Sequence, residues 1–240
     1  MESRKRGADE SIDKEEEHKK FKEIKELCKT LAAYGCRQGE RADMQDTHIM
    51  NSTFPLGDEK SFLSRSSFFA IFDGHAGPRA SEHCQKQMGI TVKEKLSKFS
   101  DFSSLTKALK LIFTESYKTV DDGFLALAKK NKPLWKDGTT ATTMIILNNV
   151  IYVANIGDSK AVVARKKEDG SFAPVCLTVD HNPMAHDERM RIQKAGAFVK
   201  DGRINGVIEV SRSIGDLPFK SLGIVCTPDL KKLTLTENDL

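Results

Sequence analysis

SFFAIFDGHAG, residues 67–77, joins a short apolar run to three chemically capable residues. Phe68, Phe69, Ala70, Ile71 and Phe72 leave no polar side for solvent, and read as a strand buried on both faces. The run ends at Asp73, Gly74 and His75, which sets a carboxylate, a bare peptide and an imidazole at a strand's carboxyl end. An Asp there can hold a hard cation, and Gly lets its own carbonyl approach the same ion. His75 could pass a proton to a leaving group near neutral pH. An Asp-Gly pair after a strand is also ordinary turn chemistry, so the triplet alone leaves both readings open.

Working outward, 240 residues with 39% hydrophobic content and 13 Phe suit one large globular domain or two small ones. Residues 1–30 hold nine Lys/Arg and nine Asp/Glu, so the net charge of +4 belongs to the rest of the chain. Its basic residues are scattered among acids rather than set in a stripe with aromatics, which disfavours a nucleic-acid partner. No apolar stretch approaches the ~20 residues that span a bilayer, and the charged amino terminus lacks the apolar core of a signal peptide. Five cysteines without a CxxC pair suit a reducing compartment. None has Arg six positions on, which argues against a cysteine-nucleophile phosphatase, and the absence of any Gly-Lys pair removes the P-loop. The expected setting is cytoplasmic and nuclear, with Arg4-Lys5-Arg6 too short to claim as a nuclear address.

Residues 1–20 read as a disordered charged tail, and Phe21, Ile24, Leu27 and Leu31 recur at helical spacing. Two short strands are expected between Ala33 and Asn51, around the turn 39–43. Pro78 opens a helix to about Leu96. Ser103 is read as the cap of a longer helix whose Leu105, Leu109, Ile112, Phe113, Tyr117, Val120 and Phe124 form one apolar stripe, a core-packing face. Residues 139–147, 150–155 and 161–165 read as three strands in antiparallel meander, with hairpin signals at Asn148-Asn149 and Gly157-Asp158. A helix from Met184 to Ala195 ends at Gly196. Strand-like pieces follow at 207–210, 224–226 and 232–235. Grouped helices and strand meanders imply an α+β fold, an antiparallel sheet system with helices packed outside it.

Other residues can join the triplet. Arg41 lies near Asp43 and Asp46, and its planar fork suits a phosphate. Asp158 offers a further oxygen ligand, and oxygen donors without Cys favour Mg²⁺ or Mn²⁺ over Zn²⁺. Simpler readings stand beside these: an Arg41–Asp43 surface pair, a turn Asp at 158, an Arg212–Asp216 pair, structural or solvated His48 and His83, and a loop His181 without a role. An Asp-x-His match to calcineurin-like metallophosphoesterases fails, because no Asp-Arg or Asn-His pair follows.

Six segments stand in the order found in a known family: Gly-x-Arg-x-x-Met-x-Asp (39–46), Phe-Asp-Gly-His-x-Gly (72–77), Asp-Gly-Thr-Thr-Ala (137–141), Ala-Asn-Ile-Gly-Asp-Ser-Lys (154–160), Asp-His-Asn-Pro (180–183) and Ser-Arg-Ser-Ile-Gly-Asp (211–216). In these the chain resembles the metal-dependent protein serine/threonine phosphatases of type 2C. Residues 188–196, 201–203 and 206–210 look closest to the integrin-linked-kinase-associated branch. The resemblance implies an α-β-β-α sandwich of two mainly antiparallel sheets flanked by helices, over residues 21–240, with a flap at about 187–210. It implies two Mn²⁺ or Mg²⁺ ions bridged by a hydroxide that attacks phosphorus in line, without a phospho-enzyme. Asp73 would bridge the ions, the Gly74 carbonyl would bind one, Asp46 would hold metal waters, and Asp158 a weaker third ion. Arg41 would hold the phosphate and His75 would protonate the leaving oxygen. The implied partners are phosphoprotein substrates and a protein kinase complex, and the chain is expected to be a monomer.

Two departures carry expectations. Gln45 stands where many members carry Glu. The family's two further Asp ligands lie downstream, one after an apolar strand and one in an Asp-Asn pair; Asp229, Glu237 and Asp239 have neither context. The sandwich is therefore expected to be incomplete at the C-terminus, and the chain weakly active or inactive and prone to aggregate. The alternative function is a non-catalytic interaction or decoy form.

Overall fold

The computed structural model describes residues 30–57 and 62–239. Strand β1 (Thr47–Asn51) pairs antiparallel with β2 (Ser66–Phe72), which continues through Asp73 into the two-residue β3 (Gly74–His75). Helices α1 (Arg79–Leu96) and α2 (Phe102–Lys130) follow, then β4 (Gly138–Thr139), β5 (Ala141–Leu147) and β6 (Val150–Ile156). A ribbon of β7 (Val162–Lys166) and β8 (Phe172–Cys176) leads to α3 (His186–Lys194). The short pair β9 (Val199–Lys200) and β10 (Arg203–Ile204) precedes β11 (Ile214–Gly215), a 3₁₀ helix (Leu217–Leu222) and β12 (Asp229–Thr234). The main sheet runs β1-β2-β5-β6-β12, antiparallel throughout.

Alternation along these strands builds the layers. Phe68, Phe72, Ile145, Leu147, Tyr152 and Ile156 face α1 and α2, meeting Met88, Val92, Leu109, Phe113 and Tyr117 in one core. Fully burying each such side chain stabilises the fold by about 1.5–3 kcal/mol. On the opposite face Ile146, Ile151 and Val153 pack against Val163 and Leu177 of the ribbon region. The expected α+β arrangement of helices on antiparallel sheet is therefore present. The expected burial of β2 on both faces is not: Ile71 is 54% exposed, because the ribbon's cluster reaches Phe69 and stops short of it.

The apolar stripe of α2 is buried at every expected position. Asp101, not Ser103, caps it, its side chain accepting the Ser104 N–H at 2.9 Å, a bond of the kind worth about 1 kcal/mol. Tyr117 ties helix to sheet by donating its hydroxyl to the Ala154 carbonyl at 2.8 Å. The Asn148-Asn149 hairpin joins β5 to β6 as expected, and α3 ends before Gly196. The third meander strand departs. Gly157, at φ 93°, turns the chain away, so β7 pairs with β8 and β12 takes the place beside β6. Residues 33–38 form no strand and are exposed, as Ala-Tyr-Gly-Cys-Arg-Gln offers no apolar face to bury. Residues 207–210 and 224–226 make only the isolated bridges Ile204–Ile208 and Arg212–Val225.

A second small core holds Ile192, Ala197, Ile204, Ile208, Val210 and Ile224. Glu188 at its base accepts from Arg191 at 2.7 and 2.8 Å, from Arg212 at 2.7 Å and from Ser211 Oγ at 2.5 Å. Arg212 reaches on to Asp229 at 3.0 Å, tying this core to β12. The charged tail, the basic triplet at 4–6 and most of the helix expected over 21–31 lie outside the described residues. Among the described residues no helix is long and apolar enough to cross a membrane, and Cys36, Cys84, Cys176 and Cys226 are free thiols.

Candidate active site

Asp73 sits at the seam where β2 leaves the main sheet for a three-stranded patch ordered β11-β4-β3. The β4–β5 junction pins its backbone: the Asp73 N–H donates to Thr140 Oγ1 at 3.2 Å, and its carbonyl accepts from Thr140 N at 2.9 Å and Thr139 Oγ1 at 3.0 Å. With the backbone held, the exposed carboxylate is aimed by the strand's end rather than by a mobile loop. Thr140 Oγ1 also lies 2.8 Å from Ser159 Oγ, coupling this seam to the turn that carries Asp158. His181 holds the same turn, its Nδ1 accepting the Gly157 N–H at 3.1 Å and its backbone N–H donating to the Gly157 carbonyl at 2.9 Å. Its Nε2 faces Asp229 at 3.2 Å. An accepting Nδ1 requires the neutral ring with its proton on Nε2; burial, then the Arg212 charge, push His181 below the ordinary histidine range.

Arg41, Asp73, Gly74, His75 and Asp158 line one cleft of about 690 Å³, together with Lys136, Arg203 and residues 207–210. The loop of Arg41 is held by the Gln38 side-chain amide, which donates to the Arg41 carbonyl at 2.6 Å and the Ala42 carbonyl at 2.9 Å. Arg41 forms no ion pair with Asp43 among the described residues, which leaves its guanidinium for the cleft. Asp46 adjoins the cleft through Asp73. Burial, the charges of Asp46 and Asp158, and a hydrogen bond shared with Asp46 push the Asp73 carboxyl up, against the opposite pull of His75. Gln45 faces elsewhere: its Oε1 accepts the Gly77 N–H at 3.2 Å.

The partner of His75 escaped the sequence reading. Asp216, buried to 1% exposure, lies with Oδ2 2.8 Å from His75 Nε2. Arg212, its expected partner, is taken up by Glu188 and Asp229 instead. Burial lowers the affinity of His75 for its proton, but the hydrogen bond and charge of Asp216, then Asp73 and Asp158, outweigh it, so the net displacement is upward. The Asp ending the 211–216 motif was the available signal; its spatial partner lies 141 residues away.

The donor set fits a hard divalent cation. It offers carboxylate and carbonyl oxygens without sulfur, and the mutual repulsion felt at Asp73 is what a cation relieves. No three His, Cys, Asp or Glu side chains converge as a complete ligand group among the described residues, so water and substrate oxygens would supply further positions.

The chain thus sets helices over an antiparallel sheet, with a cleft of mixed carboxylate and basic side chains at the sheet's end. The family described as Protein phosphatase 2C matches residues 32–240, and the chain belongs to it. It is 43% identical over 206 residues to the integrin-linked kinase-associated serine/threonine phosphatase 2C of Mus musculus, covering 85% of this chain and 52% of that protein. It is 36% identical to probable protein phosphatase 2C 8 of Arabidopsis thaliana, covering 84% and 59%. The chain thus spans about half the length of the curated relatives it matches. Among solved structures, a C. elegans sex-determining protein superposes with a TM-score of 0.67 at 25% identity, covering 84% of this chain and 47% of that one. The serine-threonine phosphatase 2C of Toxoplasma gondii gives 0.66 at 18% identity, covering 81% and 74%, a likeness of fold.

Proposed function

We propose that the cleft hydrolyses phosphoserine and phosphothreonine in proteins, with activated water as nucleophile. The observation that carries this reading is the gathering of Arg41, Asp73, Gly74, His75 and Asp158, scattered over the sequence, around one cleft. Arg41 holds the phosphate by its planar fork. Asp73, the Gly74 carbonyl and Asp158 would hold Mn²⁺ or Mg²⁺, with Asp46 holding metal-bound waters. The chemistry a bound divalent ion supplies here is acidification of water and screening of phosphoryl charge. His75 gives its proton to the leaving Ser or Thr oxygen. Arg203 and residues 207–210 edge the cleft, which supports a substrate-facing role for the 187–210 segment. The name of the mammalian relative supports a protein kinase complex as partner.

The test is phosphate release from a phosphothreonine peptide with and without Mn²⁺, beside Asp73→Asn. The expected result is Mn²⁺-dependent release that Asp73→Asn lowers at least about 10–100-fold. Release indifferent to Mn²⁺ or to Asp73, or none from folded protein, overturns the reading.

A further inference from the structure

We propose that Asp216 is the positioning residue of His75, and that by taking the Nε2 side of the ring it makes Nδ1 the proton-donating atom. The inference rests on the phosphatase reading for its chemistry, but its geometry stands alone.

Asp216 Oδ2 is 2.8 Å from His75 Nε2 and 2.5 Å from Ser213 Oγ. A carboxylate accepts from both, which leaves the neutral imidazole with its hydrogen on Nε2. Nδ1 has no protein partner among the described residues, and His75 lines the cleft.

Three features show that the contact is built. First, the two side chains meet over Gly138, where an added Cβ would collide with His75 Nε2 and Asp216 Oδ2 alike. Second, Asp216 is held at φ 50°, ψ 45°, a left-handed conformation that costs energy outside Gly and persists where surroundings impose it. Its N–H donates to the Asp137 carbonyl at 2.8 Å. Third, the turn is anchored from beneath: buried Asp121 accepts the Gly215 N–H at 2.8 Å and pairs with Lys220 at 2.8 Å, and Lys220 also donates to the Ser213 carbonyl at 2.9 Å. Two elements far apart in sequence are thus fixed to deliver one carboxylate to one ring nitrogen.

In the reaction, water oxygen bonds to phosphorus while the ester P–O bond breaks. Its electron pair goes to the leaving oxygen, which takes the Nδ1 proton of the imidazolium, the ring form protonated on both nitrogens. The ring returns to its Nε2–H form, and a water proton restores the donor.

The experiment has two arms. Long-range ¹H–¹⁵N spectra of the wild-type chain report the neutral His75 tautomer directly: a proton on Nε2 is expected, and a proton on Nδ1 overturns the proposal whether or not the chain turns over. Kinetics of Asp216→Asn are then compared on two substrates. A threonine alkoxide leaves only with a proton, whereas 4-nitrophenolate leaves without one. Turnover of the phosphothreonine peptide is expected to fall about 100- to 10,000-fold, that of 4-nitrophenyl phosphate far less, with KM little changed. An equal fall on both substrates marks a merely structural role and overturns the proposal. A wild type with the expected tautomer but no turnover refutes the phosphatase reading and leaves the positioning intact.

Discussion

Glu188→Ala is expected to destabilise the fold by about 3–5 kcal/mol, the usual cost of removing one partner from a buried ion pair. The Glu188 side chain is only 5% exposed and faces Arg212, itself 17% exposed, with Arg191 beside them. Its loss leaves Arg191 without a carboxylate, Arg212 with Asp229 alone and the Ser211 hydroxyl without its acceptor. Urea unfolding measures the loss; a change under about 1 kcal/mol, the value of a surface pair, would contradict the account. The pH dependence follows. Burial alone would raise the Glu188 carboxyl, but Arg191, Arg212 and Ser211 overcome it and hold it far below the usual glutamate range. A depressed carboxyl contributes stability that is complete above its unfolded value, about 4.3, and that drains away as pH falls toward the folded value. Below about pH 4.3 the wild type should therefore lose stability more steeply than Glu188→Gln. Parallel curves would show that the network holds no such charge.

Gly138→Ala is the second large effect. Gly138 lies at the centre of the β11-β4-β3 patch, opposite His75 on one side and Gly215 on the other. The new methyl occupies the space where His75 and Asp216 meet, and both are backed by pinned backbone, so neither yields freely. Overpacking of this kind costs about 1–3 kcal/mol, or roughly 2–12 °C in Tm for a domain of this size. Parting the pair also removes the orientation of the proton donor, so phosphothreonine turnover should fall by up to the 100- to 10,000-fold range of acid catalysis. A folded Gly138→Ala variant with unchanged Tm and turnover would contradict the packing argument.

What the sequence disclosed was local. The strand into Asp73-Gly74-His75, the α2 stripe from Leu105 to Phe124 and the Asn148-Asn149 hairpin each rest on patterns a few residues long, and each is in place. Arg41 and Asp158 could be placed near Asp73 only through the resemblance, since neither carries a local signal distinguishing a ligand from a turn residue. What stayed hidden was set by distant packing. β7 has the composition of a meander strand, but β12 holds the edge it would have joined. Arg212 and Asp216 are four residues apart and look like a pair, yet Glu188 outcompetes for the arginine while the small sheet carries Asp216 to His75. His181 looked idle because its work is done on the Gly157 backbone, which no side-chain motif reports. Residues 33–38 misled because turn chemistry implies strands only where an apolar face exists to bury.

The Asp73 carboxylate, which feels the charges of Asp46 and Asp158, is expected to be where a divalent cation binds. Titration of Mn²⁺ into the wild-type chain and into Asp73→Asn, followed by the electron paramagnetic resonance of free Mn²⁺, tests it without reference to turnover. The account predicts saturable binding by the wild type, weakened at least about 10–100-fold by the substitution. Equal Mn²⁺ uptake by the two proteins would contradict it.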